Sequence, residues 1–362
     1  MDIIVNRING IWSEFLLMSD HGMQVGIMDY GGIVTKMLVP DKYGRSENVV
    51  LGYENYQAYE QNPFYFGALI GRVAGRIANS QFTIDGQTYQ LKANEGTNHL
   101  HSANHGFHQA IWQAEPFQTQ DQAGVRLQHT SPAGEGGYPG TVSIQVTYTL
   151  DNTNRLTIDY DAVTDQTTPL ALTNHTYFNL SGNLRDTVAR HHVQMAASHF
   201  AELDKELIPT GKWLNVFGTP FDFLNGRFLE DGLLSNHPQV KLVGRGYDHY
   251  FLFDVDGNEN EIIVTEPISG RKLTLTTTQP GVVLYSGNGL ESGVPLRNGI
   301  SQKHLGLCLE TQAHSAALNH TNFPGILLTP EKKYQQQTVY QFGLRYVKTA
   351  HIFQCQDVRD IG

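Results

Sequence analysis

The chain has few charges, almost no cysteine and no long apolar run, and each shortage removes a class of protein. Charged residues make up only 17% of its 362 residues, and no Lys/Arg cluster locally overcomes the formal net charge of −10. Nucleic acid and anionic membrane surfaces are therefore poor partners. The cysteines are two, Cys308 and Cys355, and the start, MDIIVNRINGIWSEF, lacks the basic segment and unbroken apolar stretch of a secretory signal. Both features fit a reduced, cytoplasmic setting. Runs such as FGALIG and FPGILL stop far short of the ~18 apolar residues needed to cross a bilayer, so a soluble protein is expected. HExxH and CxxC motifs are missing, as are Gly/Ser-rich or Pro-rich stretches that would split the chain, and no long amphipathic helical pattern occurs.

What is present is turn-forming and β-favouring: 36 glycines and 14 prolines punctuate a chain with 17 tyrosines and 17 phenylalanines. Side-chain character alternates with period two in TVSIQVTYTL (141 to 150), RLTIDYDAV (155 to 163) and RKLTLTTTQPGVVLYSG (271 to 287), the pattern of strands with one buried face. In FTIDGQTYQL (82 to 91), Asp85-Gly86 lies between two β-favouring runs and supplies the positive φ angles of a tight hairpin. Strand signals recurring over more than 300 residues predict an all-β fold, one continuous domain over residues 1–362 built as a large antiparallel β-sandwich.

Five places carry candidate chemistry. NHLHSANHGFH (98 to 108) holds four of the sixteen histidines, His99, His101, His105 and His108. If the run is extended, His99 and His101 share a strand face and suit one metal ion, with a carboxylate from elsewhere. A polar loop with one functional histidine is the simpler alternative. His175, in LTNHTYFNLSG, could move a proton near neutral pH, or be a hydrogen-bonded core histidine. Glu310 ends the alternating run LGLCLETQ, where burial would raise its pKa towards that of a useful base; the alternative is an exposed strand-end acid. Asp248 in RGYDHYFLF is a weaker case of the same kind, with a turn or cap as its ordinary explanation. GALIGRVAGRIANSQF sets Arg72 and Arg76 among small and apolar residues without the Lys-Ser/Thr of a phosphate loop. Each arginine calls for an anionic or carbonyl partner, either structural or on a ligand.

Taken in order, NPFYFGALIGRVAGRIA, NHLH, SPAGEGGYPG, LTNHTYFNLSG, GYDHYF, TTQPGVVLYSGN and CLETQ closely resemble the aldose 1-epimerase (galactose mutarotase) family. The resemblance runs from about Gly31 to near Tyr346. It implies the galactose mutarotase-like supersandwich and an enzyme that interconverts the α and β anomers of free aldoses such as galactose and glucose, with no metal or other cofactor. Carried over by motif, Glu310 would be the general base and His175 the general acid, while Arg76, His101, Asp248 and Gln279 would hold or polarise the sugar. Glu310 beside His175 should favour the protonated imidazole, and a nearby Arg76 should keep a carboxylate ionised.

Two segments depart from the family's pattern. Ser102 and Ala103 stand where two glycines commonly follow the histidine of NHLH, and ETQAHSAALNH lacks the usual Pro-Asp-Ala. Both segments would border the pocket, which leaves the preferred sugar open between galactose, glucose and, as the alternative, a reducing disaccharide such as maltose. Three rivals remain: a noncatalytic carbohydrate-binding domain, a relative acting on hexose 6-phosphates, and a metal-dependent sugar isomerase using His99 and His101.

Overall fold

The computed structural model describes residues 1–254 and 260–345. Strand segments predicted from alternation form the middle of a nine-stranded antiparallel sheet, where Val142–Asp151 pairs with Arg155–Thr164 and the latter with Tyr334–Leu344. A six-stranded antiparallel sheet runs in the order Tyr177–Phe178, Leu307–Thr311, Gly281–Tyr285, Asp248–Leu252, His199–Leu203 and Pro209–Asn215. Apolar side chains from both sheets, among them Val146, Ile158, Leu275 and Tyr340 from the first and Phe251, Val282, Leu284, Leu307 and Leu309 from the second, form one buried cluster. A five-stranded meander from Asp2–Ile8 to Ser46–Asn48 contributes Val25, Ile27 and Val39 to the same cluster. The architecture is thus an all-β sandwich, as expected. Among the described residues the α-helices are two five-residue turns, Leu229–Leu233 and Pro238–Leu242.

Local chemistry explains where strands start and stop. Gln81–Ile84 and Gln87–Gln90 pair as the expected hairpin, with Asp85 and Gly86 at φ 49° and 81°, the left-handed pair that matches the twist of flanking strands. The run 271 to 287 is not one strand. Arg271–Thr277 belongs to the nine-stranded sheet and Gly281–Tyr285 to the six-stranded one, so the segment Thr278, Gln279, Pro280 crosses between layers. Proline has no N–H for a ladder, and the crossing breaks the alternation that looked continuous.

Period two then decides what each face of the six-stranded sheet does. Leu307 and Leu309 enter the sandwich core, which leaves Cys308 and Glu310 on the opposite face. Val282 and Leu284 likewise face the core, while Val283 and Tyr285 line a cavity on the other side. Cys308 is a buried free thiol; Cys355 lies outside the described residues. No helix among the described residues is long and apolar enough to cross a membrane.

Arg72 resolves as structural. Its fully buried guanidinium donates to Ser131 Oγ and to the carbonyls of Ser131, Pro132, Pro139 and Gly140, all at 2.8–2.9 Å. One side chain therefore pins both ends of the SPAGEGGYPG loop. A lysine cannot present the planar fork that reaches five oxygens, so Arg72→Lys is expected to lower unfolding stability by about 3 kcal/mol or more, read as a shift in the urea midpoint at unchanged slope.

Candidate active site

The outer face of the six-stranded sheet is the floor of a cavity of about 350 Å³. Its floor is a grid set by strand register. In one row Asp248 pairs with Tyr285, Tyr285 with Cys308, and Cys308 with Tyr177; in the next, Tyr250 pairs with Val283 and Val283 with Glu310. Except for Cys308, all of these line the cavity. Loops from earlier in the chain supply the walls, including Tyr65, Arg76, Glu95, His101 and His175.

His175 follows the short strand Thr173–Asn174 and is held by main-chain bonds from its N–H to Ala68 and from Gly67 to its carbonyl. Asn174 fixes the turn by accepting from the Thr176 N–H and hydroxyl. These bonds aim the imidazole over the floor, with Nε2 3.4 Å from Glu310 Oε1 and Nδ1 3.6 Å from Cys308 Sγ. Both members of the pair are buried. Burial pushes the Glu310 carboxyl up to about 8, with the Asp248 charge adding to the rise and Arg76 opposing it. Burial pulls His175 down to about 4. Glu310 was expected to favour a protonated His175; instead burial is the first cause of both shifts and pushes each group towards its neutral form, with the proton of the pair on Glu310. Arg76 pulls the Glu310 pKa down by less than burial raises it, and the carboxylate it forks onto is Glu95.

His101 is not the partner of His99 on one strand face. The strand ends at Leu100, and His101, Ser102 and Ala103 have φ of 52°, 62° and 49°. That left-handed turn is one glycine would take without strain, which gives a physical meaning to the glycines usual at two of these positions. It turns His101 into the cavity, where the Gly75 N–H donates to its Nδ1 at 3.1 Å and the His101 N–H donates to Gly75 O. A neutral imidazole accepting at Nδ1 carries its proton on Nε2, and burial, first among several causes, keeps His101 neutral by lowering its pKa well below the usual value. His99 instead donates from Nδ1 to Lys92 O at 2.7 Å and packs edge-on to Tyr138. His108 is buried against Tyr65, and His105 is exposed. The group of His, Cys, Asp and Glu side chains among the described residues that could offer ligand atoms to one metal ion is His101, His175 and Glu310, within 4.8 Å of one another, so the metal site weighed as an alternative at His99 and His101 does not form there.

Arg76 is the cation of the site. It forks onto Glu95 with Nε and Nη2 at 2.5 and 2.9 Å and approaches Asp248 Oδ2 with Nη1 at 3.6 Å. Burial opposes its charge, but Asp248 and Glu95 outweigh it and push its pKa up. Burial raises the Asp248 pKa, against the pull of Arg76. Gln279, expected in the cavity, is not among the residues that line it: buried in the crossing between sheets, it donates from Nε2 to Tyr334 Oη at 3.1 Å. The sequence did not reveal Glu95, Tyr65, Tyr250 or Gln312 as lining residues. The available signal was strand period: Gln312 lies two residues beyond Glu310 and Tyr250 two beyond Asp248, each on the same face as its neighbour.

The arrangement offers an acid and a base in contact, a neutral N–H donor at His101, and a carboxylate and guanidinium at the rim, suited to a neutral ligand rich in hydroxyls. The family model described as Aldose 1-epimerase matches residues 14–341. A galactose mutarotase from Bos taurus is 39% identical over 92% of this chain and 95% of its own length, and an aldose 1-epimerase from Escherichia coli is 34% identical over 90% and 94%. The crystal structure of a galactose 1-epimerase from Lactobacillus acidophilus superposes with a TM-score of 0.83 at 30% identity, covering 95% of this chain and 99% of that one. A Caenorhabditis elegans homologue of the same kind gives 0.82 at 30% identity, covering 91% and 98%.

Glu310 and His175 share one proton between their two transitions, so the form with one acid and one base exists between about pH 4 and about pH 8. Below the lower value both groups are protonated and no base remains; above the upper both have lost their protons and no acid remains. Any acid–base turnover at this site should show kcat/KM falling on both sides of that window. A profile still rising at pH 9.5 would contradict the assignment.

Proposed function

The chain belongs to the aldose 1-epimerase family, and on that premise we propose that it interconverts the α and β anomers of free aldoses, with Glu310 as base and His175 as acid. The observation that carries the proposal is the buried contact of 3.4 Å between these two groups on the cavity floor. Opening a pyranose hemiacetal removes the proton from the anomeric oxygen and delivers one to the ring oxygen as the bond between ring oxygen and anomeric carbon breaks. Moving the pair's proton from Glu310 to His175 creates the base and the acid together, without changing the net charge of a buried site. Rotation about the bond between the first and second carbons presents the other carbonyl face. Reclosure runs the transfers in reverse, so nothing is oxidised or reduced and no proton is consumed.

His101, with its proton on Nε2, donates to a sugar oxygen; Asp248 accepts from hydroxyls, and Arg76 donates while keeping Asp248 ionised once bound sugar has displaced water. Tyr65 and Tyr177 supply apolar wall for the ring. We further infer that residues 1–362 act as one domain and that the reaction takes place in a reducing, cytoplasmic setting, which suits the buried free thiol of Cys308.

A second reading, preference for a reducing disaccharide such as maltose, is favoured by the apolar shoulder of Phe64, Leu203, Leu207 and Val243 at the cavity, against which a second sugar unit can pack. Of the two departing segments the first contributes little to it directly, since Ser102 accepts from Val73 N–H, Ala103 is buried and neither lines the cavity, whereas the second brings Gln312 and His314 to it.

Polarimetry of freshly dissolved α-glucose and α-galactose tests the reaction. The protein should speed the decay of rotation, and Glu310→Gln should slow turnover by at least ~10²-fold; a wild type that leaves the spontaneous rate unchanged would identify a noncatalytic sugar-binding domain. Activity surviving exhaustive chelation is expected, and loss restored by added metal would favour the metal-dependent alternative. In a panel of galactose, glucose, maltose and lactose, strict galactose preference would remove the disaccharide reading.

A further inference from the structure

Beyond Glu310 the cavity floor continues for one more row. Gln312 donates its main-chain N–H to Gly281 O, extending the pairing of Leu307–Thr311 with Gly281–Tyr285 past the last strand residue. Strand period therefore sets Gln312 on the same face as Glu310, about 7 Å further along. Gln312 lines the cavity and is fully buried, yet neither its amide oxygen nor its amide nitrogen has a partner among the described residues. A buried amide without partners is costly and does nothing to hold a fold together. The same is true of the Tyr250 hydroxyl, which is buried, borders the cavity and is likewise unpartnered among the described residues.

Gly281 keeps this corner open, and Gly75 lies within contact range of it. A Cβ at Gly281 would lie 2.4 Å from the Tyr250 hydroxyl oxygen, and one at Gly75 would lie 3.7 Å from both Gln312 Nε2 and His314 Nε2. His314 accepts the Ala316 N–H at Nδ1, which leaves its proton on Nε2, and it too lines the cavity.

We propose that Gln312, the Tyr250 hydroxyl and His314 form a second polar subsite that binds the hydroxyl-bearing edge of the sugar opposite its anomeric centre. The proposal rests on the anomerisation reading, which fixes the anomeric oxygen at Glu310. A displacement of about 7 Å along the strand then spans the ring to hydroxyls on its far side. The amide offers a donor and an acceptor at once, the requirement for a hydroxyl that both gives and takes a hydrogen bond. Gln312 is thus a binding residue that sets which sugars fit, its amide having no partner among the described residues and a hydroxyl being able to satisfy both of its ends.

The test compares wild type, Gln312→Leu and Tyr250→Phe by calorimetric binding of glucose and its deoxy analogues, by polarimetric kcat and KM, and by thermal midpoint. Losing the two hydrogen bonds of the amide should raise Kd and KM for glucose about tenfold, with a smaller fall in kcat. The thermal midpoint of Gln312→Leu should not drop, because an unpaired buried amide is removed. One analogue lacking a far hydroxyl, at carbon 3, 4 or 6, should bind wild type and Gln312→Leu alike, while 2-deoxyglucose keeps the tenfold difference. Equal glucose binding by wild type and Gln312→Leu, or one common penalty across every analogue, would overturn the subsite. If Gln312→Leu fails to fold, Tyr250→Phe carries the same comparison, and unchanged glucose binding there would overturn it. A wild type that binds glucose tenfold more tightly than Gln312→Leu but does not speed anomerisation would support the subsite while overturning the reaction.

Discussion

The site depends on burying a carboxyl group beside an imidazole on one face of a sheet whose other face is hydrocarbon. Leu307 and Leu309 commit one side of their strand to the sandwich core, and the period of two then forces Glu310 to the other side. There it meets His175 rather than water. Burial of a single carboxylate or imidazolium is expensive, so each group is driven to its neutral form. A neutral pair with one proton between them costs little, and it becomes an ion pair with a single short transfer. The same desolvation that opposes charge in the free site gives the pair its usefulness once a polar ligand fills the cavity.

The remaining architecture keeps that pair in place and dry. The reciprocal bonds between His101 and Gly75 tie one wall to the loop that carries Arg76. The loop from Ser131 to Gly140 is held by Arg72, only four residues before Arg76. Two arginines in one short motif therefore do different work: the first satisfies carbonyls inside the fold, and the second balances the carboxylates of the cavity.

Much of this was legible before any coordinates, and the misses share a cause. The hairpin at Asp85-Gly86, the strands around residues 142 to 164 and the alternation ending in Glu310 all arise from rules local to a few residues. Motif resemblance supplied His175, Arg76, His101 and Asp248, and each lines the cavity. Gln279, carried over by the same resemblance, does not line the cavity, because it sits in the crossing between sheets, where its amide donates to Tyr334. The pairing of His99 with His101 failed because three successive left-handed residues, one of them alanine and none glycine, ended the strand without a sequence signal. Glu95 escaped because its place is set by Arg76, nineteen residues away, which it meets across a loop. The charge states of Glu310 and His175 could not be read from neighbours alone, since the deciding quantity was the depth of burial.

The central claim is that in the free site the shared proton resides on Glu310. Infrared difference spectra of wild type minus Glu310→Gln at pH 6, with and without saturating glucose, test it most directly. A protonated-carboxyl band belonging to Glu310 in the sugar-free protein, weakened when glucose binds, is the predicted result. A carboxylate band for Glu310 in the sugar-free protein at that pH would contradict it.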